Sequence, residues 1–103
     1  MGCGRVGSTL ARSLEDRNHT VSVIDQNSEA FRRLRPGFNG DKVAGLGFDR
    51  EVLLKAGIKR AEAFAAVSSG DNSNIISARV AREEFGIQQV VARINSFFPA
   101  DRL

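Results

Sequence analysis

An α/β fold built on a parallel sheet is predicted by three features of this 103-residue sequence. Short apolar runs suited to buried strands alternate with stretches of helical period, the order that crossover units require. A glycine loop, Gly2-Cys3-Gly4-Arg5-Val6-Gly7, opens directly into the first helical stretch. The apolar run after that helix ends in Asp25, eighteen positions beyond Gly7. That is close to the roughly 20-residue spacing of an acid that meets a ribose in dinucleotide-binding units.

Each element has its own local reason. Val6, Leu10, Ala11 and Leu14 recur at helical spacing and predict a helix to about Arg17. Asn18-His19 turns the chain, and Val21-Ser22-Val23-Ile24-Asp25 reads as a buried strand. Ser28 or Asn27 caps a short helix with Ala30, Phe31 and Leu34, which Pro36-Gly37 ends. Lys42 to Leu46 is a weaker strand. Asp49 caps a helix carrying Val52, Leu53 and Ala56, closed by Gly57. Phe64 to Val67 is a short strand, and the polar loop Ser68-Ser69-Gly70-Asp71-Asn72 leads into a long helix stopped by Gly86. Val90 to Ile94 is the last strand, followed by Phe97-Phe98-Pro99. This alternation predicts one Rossmann-like, three-layer domain over residues 1–103.

Composition narrows the function classes. At 42% hydrophobic the chain can bury a core, but 103 residues leave no room for a separate substrate domain. No run approaches the roughly 18 apolar residues of a membrane span, and the start is not a signal peptide. One cysteine excludes an internal disulfide and any clustered-thiol metal site, and fits a reducing cytosol. A net charge of +3 arises from 15 cationic against 12 acidic residues. They are spread over several helices without aromatic interleaving, so solvated helix faces explain the charge better than a nucleic-acid partner does.

In this fold class the glycine loop follows the central strand, yet only Met1 precedes Gly2. Either an apolar segment is missing ahead of Met1, or another chain fills the gap by strand swapping. Truncation is the preferred expectation, because the tail also stops where a sixth strand belongs. The chain as given is expected to be marginally stable or strand-exchanged, since each forgone ladder bond costs roughly 0.5–1.5 kcal/mol.

The loop carries the functional reading. Gly2 supplies the tight turn, Gly4 the close approach to pyrophosphate, and Gly7 the contact of helix on sheet. Arg5 points outward, toward a terminal phosphate or simply into solvent. Cys3 is a small residue that fits. Asp25 accepts from ribose hydroxyls and disfavours a 2′-phosphate, favouring NAD or an adenine nucleotide over NADP; its competing role is a cap or turn before Gln26-Asn27-Ser28. Gly45-Leu46-Gly47 is either a backbone platform for adenine or a plain turn. Ser68, Asp71, Asn72 and Asn74 gather at the ligand-binding side of the sheet, or serve only as loop and cap; Arg93 ends its strand on the same side. Ile75, Ile76, Val80 and Ala81 make the long helix apolar around much of its girth, which is core or, in part, a dimer contact. The sequence contains no tyrosine and one loop histidine, His19. Neither a Tyr–Lys hydride-transfer pair nor an acid–base centre is available, so a binding module is favoured over catalysis.

The run GCGRVGSTLARSLEDRNHTVSVIDQNSEAFRRL, then VLLKAGIKRAEAFAAVSSGDNSNIISARVARE and VVARI, resembles the N-terminal nucleotide-binding domain of TrkA/KtrA-type potassium-transport regulators, also called RCK, KTN or TrkA-N domains. The resemblance extends to Ile94. It implies a non-enzymatic, cytoplasmic regulator at the inner face of the membrane that binds NAD(H) or ATP/ADP. It further implies dimers, rings in the full-length protein, and an integral membrane potassium channel or transporter as partner, gated by the nucleotide. The implied nucleotide-binding set is Gly2, Gly4, Arg5, Val6, Gly7, Asp25, Gln26, Gly47, Ser68 and Asn74, with no metal. Relative to the family the chain is truncated at both ends, lacking the first strand, the sixth strand with its crossing helix, and the C-terminal subdomain. Leu46 also departs from the family, which often has an acid there. The rival readings are an NAD-dependent oxidoreductase fragment without its catalytic part, and a stand-alone interaction domain with an inert core.

Overall fold

The computed structural model describes residues 1–95; the Phe97-Phe98-Pro99 segment lies outside them. In chain order the elements are α1 (Arg5–Asp16), β1 (Ser22–Asp25), β2 (Asp41–Ala44), α2 (Arg50–Lys55), β3 (Ala63–Ala66), α3 (Asp71–Phe85) and β4 (Gln89–Ala92). A 3-10 helix, Ser28–Arg33, lies between β1 and β2, and a second 3-10 turn, Ile58–Arg60, precedes β3. The mixed α/β, Rossmann-like fold expected from the alternation is therefore present.

The strands form two parallel pairs. β1 pairs with β2 from Ser22↔Asp41 to Asp25↔Ala44, and β3 pairs with β4 from Ala63↔Gln89 to Ala66↔Ala92. Met1 and Gly2 bridge the pairs at their carboxyl ends. The Met1 amine donates to Ala65 O at 2.6 Å. Val67 N–H donates to Met1 O at 2.8 Å, and Gly2 N–H to Ile24 O at 2.7 Å. Donation to one residue's carbonyl and acceptance from the amide two positions on is the parallel ladder pattern. The spatial order is thus β2, β1, the Met1-Gly2 link, β3, β4. Among the described residues no other strand lies between β1 and β3.

Side-chain alternation along β1 divides the core into two. Val23 joins Cys3, Ala11, Leu34 and Phe38 on the side of α1 and the first 3-10 helix. Ile24 joins Leu53, Ile58, Phe64, Ala66, Ala81 and Ile87 on the side of α2 and α3. Helices on both faces of the strand layer make the three layers.

Local signals account for most boundaries. Asp49 Oδ1 accepts from Glu51 N–H and Val52 N–H at the start of α2, and left-handed Gly57 and Gly86 follow α2 and end α3. Asn27, not Ser28, caps the segment after β1, which is 3-10 and not α-helical. Pro36 closely follows it, and a short segment with few turns to repeat tightens readily into 3-10 form. The strands are shorter than the apolar runs suggest: Val21, Gly45, Leu46, Val67, Arg93 and Ile94 fall outside them. The inward face of α1 also differs from the expected stripe. It buries Gly7, Ser8 and Ala11, leaving Val6 41% and Leu10 36% exposed. Small residues win that face because the helix packs directly on the glycine loop.

Candidate functional site

The glycine loop is shaped by close packing on one side and open space on the other. Gly2 has φ +100°, and a Cβ there would lie 2.6 Å from Ser68 N; a Cβ on Gly7 would overlap the Gly2 carbonyl oxygen. Both glycines are thus required by the protein's own packing. Gly4 is different. Its backbone is extended, with φ −79° and ψ −160°, and a Cβ on it would meet no atom within 4 Å. Nothing in the protein requires glycine at that position, and the space beside it is free.

Gly4 is also the N-cap of α1, with no capping side chain and no acid in the first turn. The first amides of this twelve-residue helix are therefore capped by no side chain of the helix itself. Asp25 lies at the carboxyl end of β1, next to the loop. Its Oδ2 accepts from Cys3 N–H at 2.7 Å and its Oδ1 from Asn27 N–H at 2.8 Å.

Five residues expected at the site, Gly2, Asp25, Gln26, Gly47 and Ser68, line one shallow cleft of about 80 Å³. Gly4 and Gly7 belong to the loop beside it. Arg5 and Val6 lie instead along the outer side of α1, with Thr9 and Leu10. Leu46 and Phe48 form the apolar wall on the β2–α2 turn, and Met1 packs against Gly47.

Asn74 is not on the cleft surface. It is fully buried; its Oδ1 accepts from Ser68 N–H at 2.9 Å and Ser68 Oγ–H at 2.7 Å. Its Nδ2 donates to Ser68 O at 2.8 Å and to Arg93 O at 2.9 Å. This side chain ties the ends of β3 and β4 to the first turns of α3 and sets the position of Ser68. The same junction is closed by Asn95 N–H donating to Asp71 Oδ1 at 2.7 Å. Ser73, which sequence reasoning missed, lines the cleft beside Ser68. Its signal was its place in the first turn of a helix that starts from the polar loop.

The Cys3 thiol is completely buried, and burial together with the Asp25 charge raises its pKa, against weaker opposing effects of Arg33 and Lys42. It is a packing residue, not a thiolate nucleophile. Among the described residues no group of three His, Cys, Asp or Glu side chains could hold a metal ion. No described helix is long and apolar enough to cross a membrane.

Parallel strand pairs, helices on both faces, and a glycine loop leading into a helix define a Rossmann-like α/β domain. More narrowly, the chain belongs to the TrkA-N domain family, whose sequence model matches residues 1–100. It is 64% identical over 94 residues to the Trk system potassium uptake protein TrkA of Streptomyces coelicolor, covering 91% of this chain and 42% of that protein. Similarity to a TrkA homolog of Pyrococcus abyssi is 39% over 82 residues, covering 80% of the chain and 36% of the relative. The TrkA of Vibrio alginolyticus is 33% identical over 96 residues, or 93% of the chain and 21% of its own length. The chain thus spans less than half the length of these potassium uptake proteins.

Proposed function

We propose that this domain is a nucleotide-sensing part of a potassium uptake system, binding NAD(H) or ATP/ADP and acting without catalysis. The observation that carries the reading is the free space at Gly4, at the open positive end of α1, adjoining the cleft that Asp25 lines. A diphosphate fits that chemistry: helix-start amides donate to its oxygens, and no first-turn acid repels it. Asp25 accepts from ribose hydroxyls with its remaining lone pairs, two backbone donors leaving part of a carboxylate's roughly four acceptor positions unused. Gly2, Gln26 and Ser68 border the sugar, while Gly47 and Leu46 offer the base a wall. Gly7 sets the helix close enough for its amides to reach the phosphates, and Val6 N–H is one of those amides. Arg5, on the outer side of α1, reaches a terminal phosphate only by turning back over the helix start. Asn74 holds Ser68 in place and does not contact the ligand.

In this proposal the ligand favours one of two arrangements of a homo-oligomer, a dimer or a ring in the longer protein, and so biases an integral membrane potassium channel or transporter. Only a ligand with different affinity for the two arrangements can do so. The assembly sits in the cytoplasm against the membrane. The names of the relatives, which all refer to Trk potassium uptake, support this setting.

The direct test is calorimetric titration of NAD, NADH, ATP and ADP into the purified domain and into Gly4→Val. No atom of the protein lies within 4 Å of a Cβ at this position, so the variant should keep its fold within about 1 kcal/mol, the cost of a poorer N-cap. At least one nucleotide should bind the native domain at micromolar strength and bind the variant at least tenfold more weakly. Absence of binding to the native domain, or equal binding by the variant, overturns the proposal.

A further inference from the structure

We propose that Asp25 is a positioning residue for the glycine loop, holding it in a phosphate-ready shape before any sugar arrives; this rests on the nucleotide-binding reading above. An acid that served only the ribose would leave its oxygens to solvent until the ligand came. Here both are engaged by backbone donors from two separate segments. Oδ2 takes the N–H of Cys3, the residue between the first two loop glycines, and Oδ1 takes that of Asn27, where the chain turns after β1. Segments 22 positions apart in sequence at the first of these contacts are joined through one side chain.

The loop needs such a tie. Gly2 N–H is bound to Ile24 O by the main-chain ladder, but the chain then leaves the sheet. Gly4 caps α1 without a side-chain partner and with open space around it. The N–H of Cys3, just ahead of the helix amides, donates to a carboxylate, a contact roughly twice as strong as a neutral one when the acceptor is ionised. Beneath it the Cys3 side chain is fully buried, so amide and thiol are restrained from opposite sides. A ribose hydroxyl adding to Asp25 from the cleft therefore binds to the same group that orients the phosphate amides. Sugar and phosphate recognition are coupled through one carboxylate.

Two probes separate this role from simple sugar contact: ADP, which has a ribose, and inorganic tripolyphosphate, which has none. Both are titrated into the native domain and Asp25→Asn, with thermal melts to verify folding. The asparagine is isosteric but has only one acceptor oxygen, so one backbone tie is lost. Removing a negative charge beside an anion site would by electrostatics alone tighten tripolyphosphate. The proposal expects the opposite, at least fivefold weaker tripolyphosphate binding together with weaker ADP binding. Weaker ADP with unchanged or tighter tripolyphosphate overturns the positioning role and leaves the nucleotide reading standing. A native domain that binds neither probe overturns both.

A second measurement does not depend on the variant folding. In the ligand-free native domain, exchange of the Cys3 amide should be slowed at least tenfold relative to an unstructured peptide. An unprotected Cys3 amide overturns the proposal.

Discussion

Asn74 shows how a single residue can determine a site without touching what the site binds. Its amide makes four hydrogen bonds while wholly buried, three of them to Ser68. Replacement by alanine leaves the Arg93 carbonyl and the Ser68 amide without their Asn74 partner, and a buried group left unsatisfied costs about 1–3 kcal/mol. We expect Asn74→Ala to lower unfolding stability by about 2–4 kcal/mol in urea titrations; a loss under about 1 kcal/mol would mean that the junction is solvated. The sequence grouped Ser68 with Asn74 in the polar loop, and the two side chains are hydrogen-bonded. Their division of labour was not legible, because an asparagine in the first helical turn has the same composition whether its amide faces ligand or carbonyl.

At the scale of elements, the space between β1 and β3 is decisive. Two residues bridge a gap flanked by two four-residue strands, so part of each inner edge has no main-chain partner in the ladder. A chain extended ahead of Met1 by four alternating valines and isoleucines would continue the parallel pattern that Met1 begins. Each new net bond contributes about 0.5–1.5 kcal/mol, so the extended protein should be several kcal/mol more stable by urea unfolding. A threonine-serine-glycine extension of equal length serves as control; equal stability of the two would show that the gap does not accept a strand. The sequence pointed to a strand position just ahead of the glycine loop. It did not show that Met1 and Gly2 already hold the carboxyl end of the gap. The helices were legible in type but not always in facing. In α3, Ala81 is fully buried while Ile75 and Ile76 are 42% and 46% exposed, so the girth read as apolar divides into a core face and an outer face.

For the molecule as a whole, the same gap predicts how stability depends on pH. In the chain that begins at Met1, the terminal amine is buried between the strand pairs and donates to Ala65 O. Burial lowers its pKa from 8.0 to about 6, with Asp25 and Cys3 opposing the shift. The unfolded chain therefore binds more protons between these values, and stability rises with pH across that window. The contribution is fully present above pH 8 and is lost as pH falls through about 6, a change approaching 3 kcal/mol at about 1.4 kcal/mol per unit. Urea unfolding at pH 5.5 and 8.5 measures it, and acetylation of the amine should abolish the amine's part of the difference. An identical slope in the acetylated chain would assign the effect elsewhere.

The sequence by itself determined what depends on neighbours along the chain. The glycine loop and its spacing to Asp25, the alternation of strand and helix, the helix start at Asp49 and the stops at Gly57 and Gly86 all follow from backbone freedom, capping and periodicity within a few residues. The tertiary structure alone decided which partner each polar group found. It turned Val6 and Leu10 outward, spent Asn74 on Ser68 and Arg93, gave both oxygens of Asp25 to backbone amides, and set Met1 between two strand pairs. The physical reason is that local preferences are short-ranged, whereas a hydrogen bond between residues 22 or 64 positions apart exists only once packing has brought both ends together.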